Sequence, residues 1–142
     1  MSTMKPCEFE GCNFNAITGG ERCWQHLEDK KAFLKSLSSM ARDGKLKGAY
    51  LPNIIAQGLN FEGCDLSGAV FIGAYLESCN FTGAILDGAV FKRSHLSMAS
   101  FKNASCIGTS FLGAFMQLTN LEGADLSEAI LDSSVCTRAN LS

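Results

Sequence analysis

Three cysteines and a histidine crowd the first 26 residues, in the order Cys7-x4-Cys12-x10-Cys23-x2-His26. Thiolates and an imidazole are the soft ligands a tetrahedral Zn²⁺ ion takes. Two short-spaced pairs joined through Gly19-Gly20 can fold back to enclose one ion. Cys23 and His26, three residues apart, can both face the metal from the first turn of a helix. With Cys7, Cys12, Cys23 and His26 all bound, no position remains for a substrate water, so the expected role of the Zn²⁺ is structural. The opening Met1–Cys7 runs straight into charged sequence without the apolar core of a signal peptide. Seven cysteines in such a chain point to reduced thiols and metal rather than disulfides, and to the cytoplasm.

The elements that must hold these ligands divide the chain into three. Residues 1–26 form the metal segment, which is similar to the small Cys/His zinc knuckles with a Gly-Gly turn and a Cys-x-x-His. Residues 27–43 read as an amphipathic helix: Leu27, Leu34, Leu37 and Ala41 share a stripe, Phe33 and Met40 flank it, and Gly44 stops it. A single helix with one apolar stripe must bury that stripe on a neighbour. That neighbour is residues 44–142.

From Ala49 onward the sequence repeats every five residues without insertion or deletion. Unit centres fall at 51, 56, 61 and so on to 141, and 15 of these 19 are Leu or Phe. The position two before each centre is Ala in 11 of 19 and Cys, Ser or Thr in six more. Five matches neither the helical nor the strand period, so each unit must turn a corner with one large and one small side chain inside. A longer period fixes the number of corners. Asn precedes the centre only at Asn60, Asn80, Asn120 and Asn140, all multiples of 20, and Phe centres recur every ten residues from Phe61 to Phe111. Four units therefore close one square coil, with Phe on two opposite walls and the Asn residues in one stacked ladder. Coils spaced like adjacent strands, at ~4.8 Å, make a rod about 22 Å long.

Units such as Cys64-Asp65-Leu66-Ser67-Gly68 and Ala124-Asp125-Leu126-Ser127-Glu128 resemble the A-[D/N]-L-x-x units of the pentapeptide repeat family. The resemblance covers residues 49–142. It implies an all-β solenoid, a right-handed quadrilateral parallel β-helix of pentapeptide repeats, here preceded by a small zinc knuckle and one α-helix. Cys64, Cys79, Cys106 and Cys136 fall at inward positions and are expected to be small core residues. His95 falls just before a centre and reads as a surface residue.

Composition narrows the function. No Ser/His/Asp set, phosphate-binding loop or H-E-x-x-H appears, and a convex rod filled by Leu and Phe offers no pocket, so no enzyme is expected. No run approaches 18 apolar residues, so no membrane span is expected. Residues 1–48 carry eight bases and six acids, with Trp24 the one exposed-aromatic candidate, which is too little for direct nucleic-acid binding. Two outer walls are unusually apolar: Tyr50, Val70, Ile72, Val90, Leu112 and Ile130 on one, and Ile55, Tyr75, Met98, Phe115, Leu118 and Val135 on the next. The expected function is a non-catalytic protein–protein interaction module, with Val70, Ile72, Tyr75, Leu112, Phe115 and Leu118 as its interaction surface. The partner is an unidentified protein or a second copy, the latter giving a homodimer through the C-terminal half, where the last coil carries no cap. The family resemblance implies an alternative, a DNA mimic that binds DNA gyrase or another DNA-binding protein. Residues 49–142 hold eight acids and four bases. Duplex DNA of the rod's length would carry about 13 negative charges, so the mimic ranks second.

Overall fold

The computed structural model describes residues 4–142; Met1–Thr3, the start of the predicted 1–26 segment, lie outside the described residues. From residue 50 onward the backbone forms parallel bridges at a constant offset of 20, from Tyr50 with Val70 to Asn120 with Asn140. Four five-residue units per coil is therefore the observed architecture. Each bridge is one residue wide because the chain turns a corner at once. Within a unit the centre's carbonyl accepts from the N–H three residues on, as in Leu66 with Ala69 at 3.0 Å. The third residue of that turn has φ near +60°, the pattern of a type II turn. Between coils, Leu51 N–H donates to Val70 O at 2.8 Å and Val70 N–H to Ala49 O at 2.7 Å, so each coil is zipped to the next along every wall.

The interior is built as the period requires. The six Phe centres from Phe61 to Phe111 are fully buried. Phe61, Phe81 and Phe101 stack at 5.2 and 4.8 Å on one wall, and Phe71, Phe91 and Phe111 at 5.2 and 5.4 Å on the opposite wall. The two columns meet edge-on in the middle, as Phe81 and Phe91 do at 5.6 Å and 78°. Aromatic pairs favour both arrangements over eclipsed sandwiches. The small inward positions tolerate hydroxyls and thiols because a carbonyl waits for each: Thr109 Oγ1 donates to Leu86 O at 2.7 Å and Thr119 Oγ1 to Leu96 O at 2.9 Å. Cys79 Sγ donates to Ala56 O at 3.0 Å. Cys64, Cys79 and Cys106 are buried and Cys136 half-buried, as core residues should be.

The expected Asn ladder is present: Asn60 bridges Asn80, Asn120 bridges Asn140, and the Ser100 rung joins the two pairs. Asn60, Asn80, Asn120 and Asn140 each use Oδ1 to accept the N–H two residues on, at 3.0 to 3.1 Å. The nearer partner wins: each Asn caps its own turn, and only Asn140 also reaches Asn120, at 3.5 Å.

Helix α1 spans Lys30–Arg42, shorter than the predicted 27–43. Asp29 stops it at the N-terminal end by accepting Ala32 N–H at 2.9 Å through Oδ1, and Leu27 is extended and outside it. Phe33, Leu37 and Ala41 face inward and join one core with Leu46, Leu51, Ile54 and Ala56, so α1 closes the first coil. A second closure has no counterpart in the repeat pattern: Thr18 pairs with Tyr50, its N–H donating to Tyr50 O at 2.9 Å and its Oγ1 accepting Tyr50 N–H at 2.7 Å. The metal segment thus covers part of the open edge that α1 leaves. Among the described residues no helix is long and apolar enough to cross a membrane.

Candidate metal centre and docking wall

A short hairpin presents the first two ligands. Pro6 bridges Asn15 antiparallel, Cys7 N–H donates to Phe14 O at 2.9 Å, and Cys12 N–H closes a turn on Phe9 O at 3.1 Å. Gly11, at φ 79°, supplies the left-handed residue that turn needs. The second pair sits at a 3-10 turn, Trp24–His26, capped by Cys23, rather than on a full helix. All four ligand atoms lie within 4.8 Å of one another.

The spacings are compatible with a single zinc ion. Cys7 Sγ and Cys23 Sγ lie 3.6 and 3.4 Å from His26 Nδ1, and Cys12 Sγ lies 3.8 Å from Cys23 Sγ. A tetrahedral zinc has S–S edges of about 3.8 Å and S–N edges of about 3.6 Å, given its usual ~2.3 and ~2.0 Å bonds. Three of the six edges therefore have zinc-site lengths, and the other three are no longer than 4.8 Å. Phe9 lies flat on His26, 3.9 Å away, and fixes the plane of the imidazole. Burial works against the Cys7 thiolate, but hydrogen bonds from the Cys23 and Phe9 backbones and from His26 and Cys12 outweigh it and bring the thiol down to about 6. Cys12 moves the other way: the Phe14 N–H favours its thiolate, but burial and the nearby Cys7 and Cys23 sulfurs raise it overall. Sulfurs that crowd one another in this way are relieved by a shared cation. By contrast Cys79 and Cys106 are pushed up to about 12 by burial and stay neutral.

The outer walls carry the second candidate site. Of the predicted interaction surface, Ile72, Tyr75, Phe115 and Leu118 are exposed, whereas Val70 and Leu112 are half-buried at their corner. The wall on centres 56, 76, 96, 116 and 136 concentrates the apolar surface, and here sequence reasoning missed a residue. His95 is not an isolated surface histidine: it lies between Tyr75 and Phe115, stacked at 4.3 and 4.8 Å with planes within 17°. Ile55, Tyr75, His95, Phe115 and Val135 form one continuous outward column. The signal lies in the 20-residue offset, which aligns outward residues as strictly as it aligns the core.

Met98 and Leu118 flank that column, 63% and 52% exposed, at φ 62° and 58°. Glycine occupies this turn position in half the units, because a side chain there costs about 1 kcal/mol or more. Two large apolar side chains thus sit where both solvation and backbone conformation disfavour them. Two other expectations need correction. Trp24 is buried against Phe33 rather than exposed, because it anchors the metal segment to α1. The molecule also has a groove after all, about 680 Å³ and open, where the metal segment meets the rod. Met4, Lys5, Ile17, Thr18, Glu21 and Tyr50 are among the residues that line it.

A family model for pentapeptide repeats matches residues 45–83, 84–123 and 119–142, in eight copies. Among solved structures, a pentapeptide repeat protein from the cyanobacterium Cyanothece 51142 superposes with a TM-score of 0.64 at 22% identity, covering 66% of this chain and 64% of that one. Full-length QnrB1, a plasmid-mediated fluoroquinolone resistance protein, also gives 0.64, at 29% identity, covering 67% of this chain and 52% of that one. HetL, involved in heterocyst differentiation regulation in Nostoc sp. strain PCC 7120, gives 0.57 at 29% identity, covering 63% and 45%. The chain spans about half to two thirds of the length of these structures. No curated protein matches the sequence.

Proposed function

The chain belongs to the pentapeptide repeat family, and from that premise we propose a non-catalytic protein–protein interaction module with a structural zinc. Its docking face is the apolar wall around Tyr75, His95 and Phe115, and its partner is a protein, either another chain or a second copy. The observation that carries this reading is Met98 and Leu118, apolar and exposed at left-handed turn positions on that wall. Neither residue improves the fold there, and contiguous apolar surface on a soluble rod marks an interaction site. Zinc held by Cys7, Cys12, Cys23 and His26 would fix the end of the rod, and thiolate ligands suit a reducing cytoplasm.

Leu118→Gly separates binding from folding. The variant should be about 1 kcal/mol more stable, because glycine relieves the turn. It should also retain less of any protein captured from the native host. Unchanged capture by Leu118→Gly and by Phe115→Glu would remove the wall from the proposal.

One observation favours a second reading: 29% identity to QnrB1 over two thirds of this chain, which suggests a duplex mimic acting on DNA gyrase. Lys92, Arg93 and Lys102 interrupt the rod where a mimic needs acids. Dose-dependent inhibition of gyrase supercoiling by the added protein would put this reading first.

A further inference from the structure

We infer that the wall on Ala56, Leu76, Leu96, Met116 and Cys136 pairs face to face with the same wall of a second copy, antiparallel, about a two-fold axis crossing it at His95. The inference rests on the interaction reading above and names the occupant of that face. Its first support is the order of the outward column. Ile55, Tyr75, His95, Phe115 and Val135 run branched aliphatic, aromatic, imidazole, aromatic, branched aliphatic, on consecutive rungs. That order reads the same in both directions, so a two-fold axis through His95 sets like against like along the whole column. Turned end over end, Ile55 comes opposite Val135, Tyr75 opposite Phe115, and His95 opposite His95. In the neighbouring column Met98 likewise comes opposite Met98. The rungs are evenly spaced, so all of these matches occur in a single register.

Charge supplies the second support. Among the outward positions of this wall from Ile55 to Arg138, the charged side chains are Glu77 and Arg138, of opposite sign. Depletion of charge is the compositional mark of an interface centre. Under the same two-fold, Arg138 of the second copy comes level with Gln57. The Gln57 amide donates to the Glu77 carboxylate at 3.2 Å. Arg138 therefore arrives one rung, ~4.8 Å, from Glu77, and the symmetry makes two such pairs. A parallel pairing, with the axis along the rod, would instead bring Glu77 level with Glu77 and Arg138 level with Arg138. Complementary charges select the antiparallel register and like charges reject the other. One wall of so short a rod buries less than the ~800 Å² per partner of a standard interface. The dimer is therefore weak, forming at micromolar concentrations.

Sedimentation equilibrium of the full zinc-loaded chain tests the pairing. We expect a concentration-dependent monomer–dimer equilibrium at tens of micromolar. Glu77→Arg and Arg138→Glu should each weaken it roughly tenfold, and the two combined should restore it. Both side chains lie at the surface, so circular dichroism should be unchanged in all three variants. A short bis-maleimide should join His95→Cys to itself far more than Phe115→Cys, since position 115 faces Tyr75. A protein that stays monomeric throughout would overturn the inference. So would a dimer indifferent to both charge reversals, or one that cross-links at 115 rather than 95. A monomer that still loses a captured host protein on Phe115→Glu would overturn the two-fold alone and leave the interaction reading standing.

Discussion

Purified protein should contain about one Zn²⁺ per chain, and Cys12→Ser should lose it and unfold residues 4–26 while the rod stays intact. This segment has no helix longer than the Trp24–His26 turn, and its buried apolar residues are few, chiefly Ala16, Ile17 and Trp24. So small a core cannot offset the entropy of ordering the chain. A structural zinc contributes an apparent ~10–16 kcal/mol in comparable small sites, which makes metal binding and folding one event here. Three probes should move together on chelation: bound zinc, the fluorescence of the single tryptophan, and protection of the Thr18 amide. Trp24 should shift to the red as it leaves its contact with Phe33. Acid should do the same. Thiolates hold the metal, so protons compete with it for Cys7, Cys12 and Cys23 as the pH falls. Protein purified without chelators that holds no zinc, yet keeps Trp24 buried, would refute the site.

Leu37→Asp should destabilise the chain by several kcal/mol. Leu37 is fully buried between α1 and the first coil, in one core with Leu46, Leu51 and Ile54. A carboxylate cannot stay charged there without a partner, and breaking a buried site in this way costs about 3–5 kcal/mol. The helix has an escape, which is to undock, and this sets the upper limit. The cost then becomes the lost burial of Phe33, Leu37 and Ala41 at ~25 cal/mol per Å², together with exposure of the coil beneath. Chemical denaturation should show a lowered midpoint, and a chain beginning at Gly44 should be similarly weakened and prone to aggregate. If that shortened chain matches the whole protein in stability and solubility, α1 does not cap the rod.

The rod was legible because its period is set by geometry that tolerates few exceptions. A large side chain at each centre and a small one two residues earlier are the condition for four corners to close. Register therefore followed from counting alone, down to the opposed Phe columns. The clustering of Cys7, Cys12, Cys23 and His26 was legible for a similar reason, since three thiols and an imidazole at short spacing make up the donor set of a single soft ion. What escaped notice depended on competition between nearby groups. The Asn ladder followed from the 20-residue spacing, but not its hydrogen bonds: Asn80 Oδ1 accepts Thr82 N–H at 3.0 Å within its own turn while its Nδ2 donates to Glu62 of the neighbouring coil at 3.5 Å. The start of α1 turned on one Asp29 side chain. His95 was read as outward, which it is, but its stacking on Tyr75 and Phe115 was missed because those neighbours stand 20 residues away on either side. Trp24 and the Thr18–Tyr50 pairing depend on how the metal segment docks, and no period in the sequence encodes that.

The central claim is that this wall, and not the polar wall bearing the Asn residues, meets a protein. A photo-reactive phenylalanine analogue placed at position 115, and separately at position 60, tests it most directly in the native host. The account predicts protein adducts from position 115, whether to a second copy or to another chain, and none above background from position 60. Adducts from position 60 with none from position 115 would contradict it.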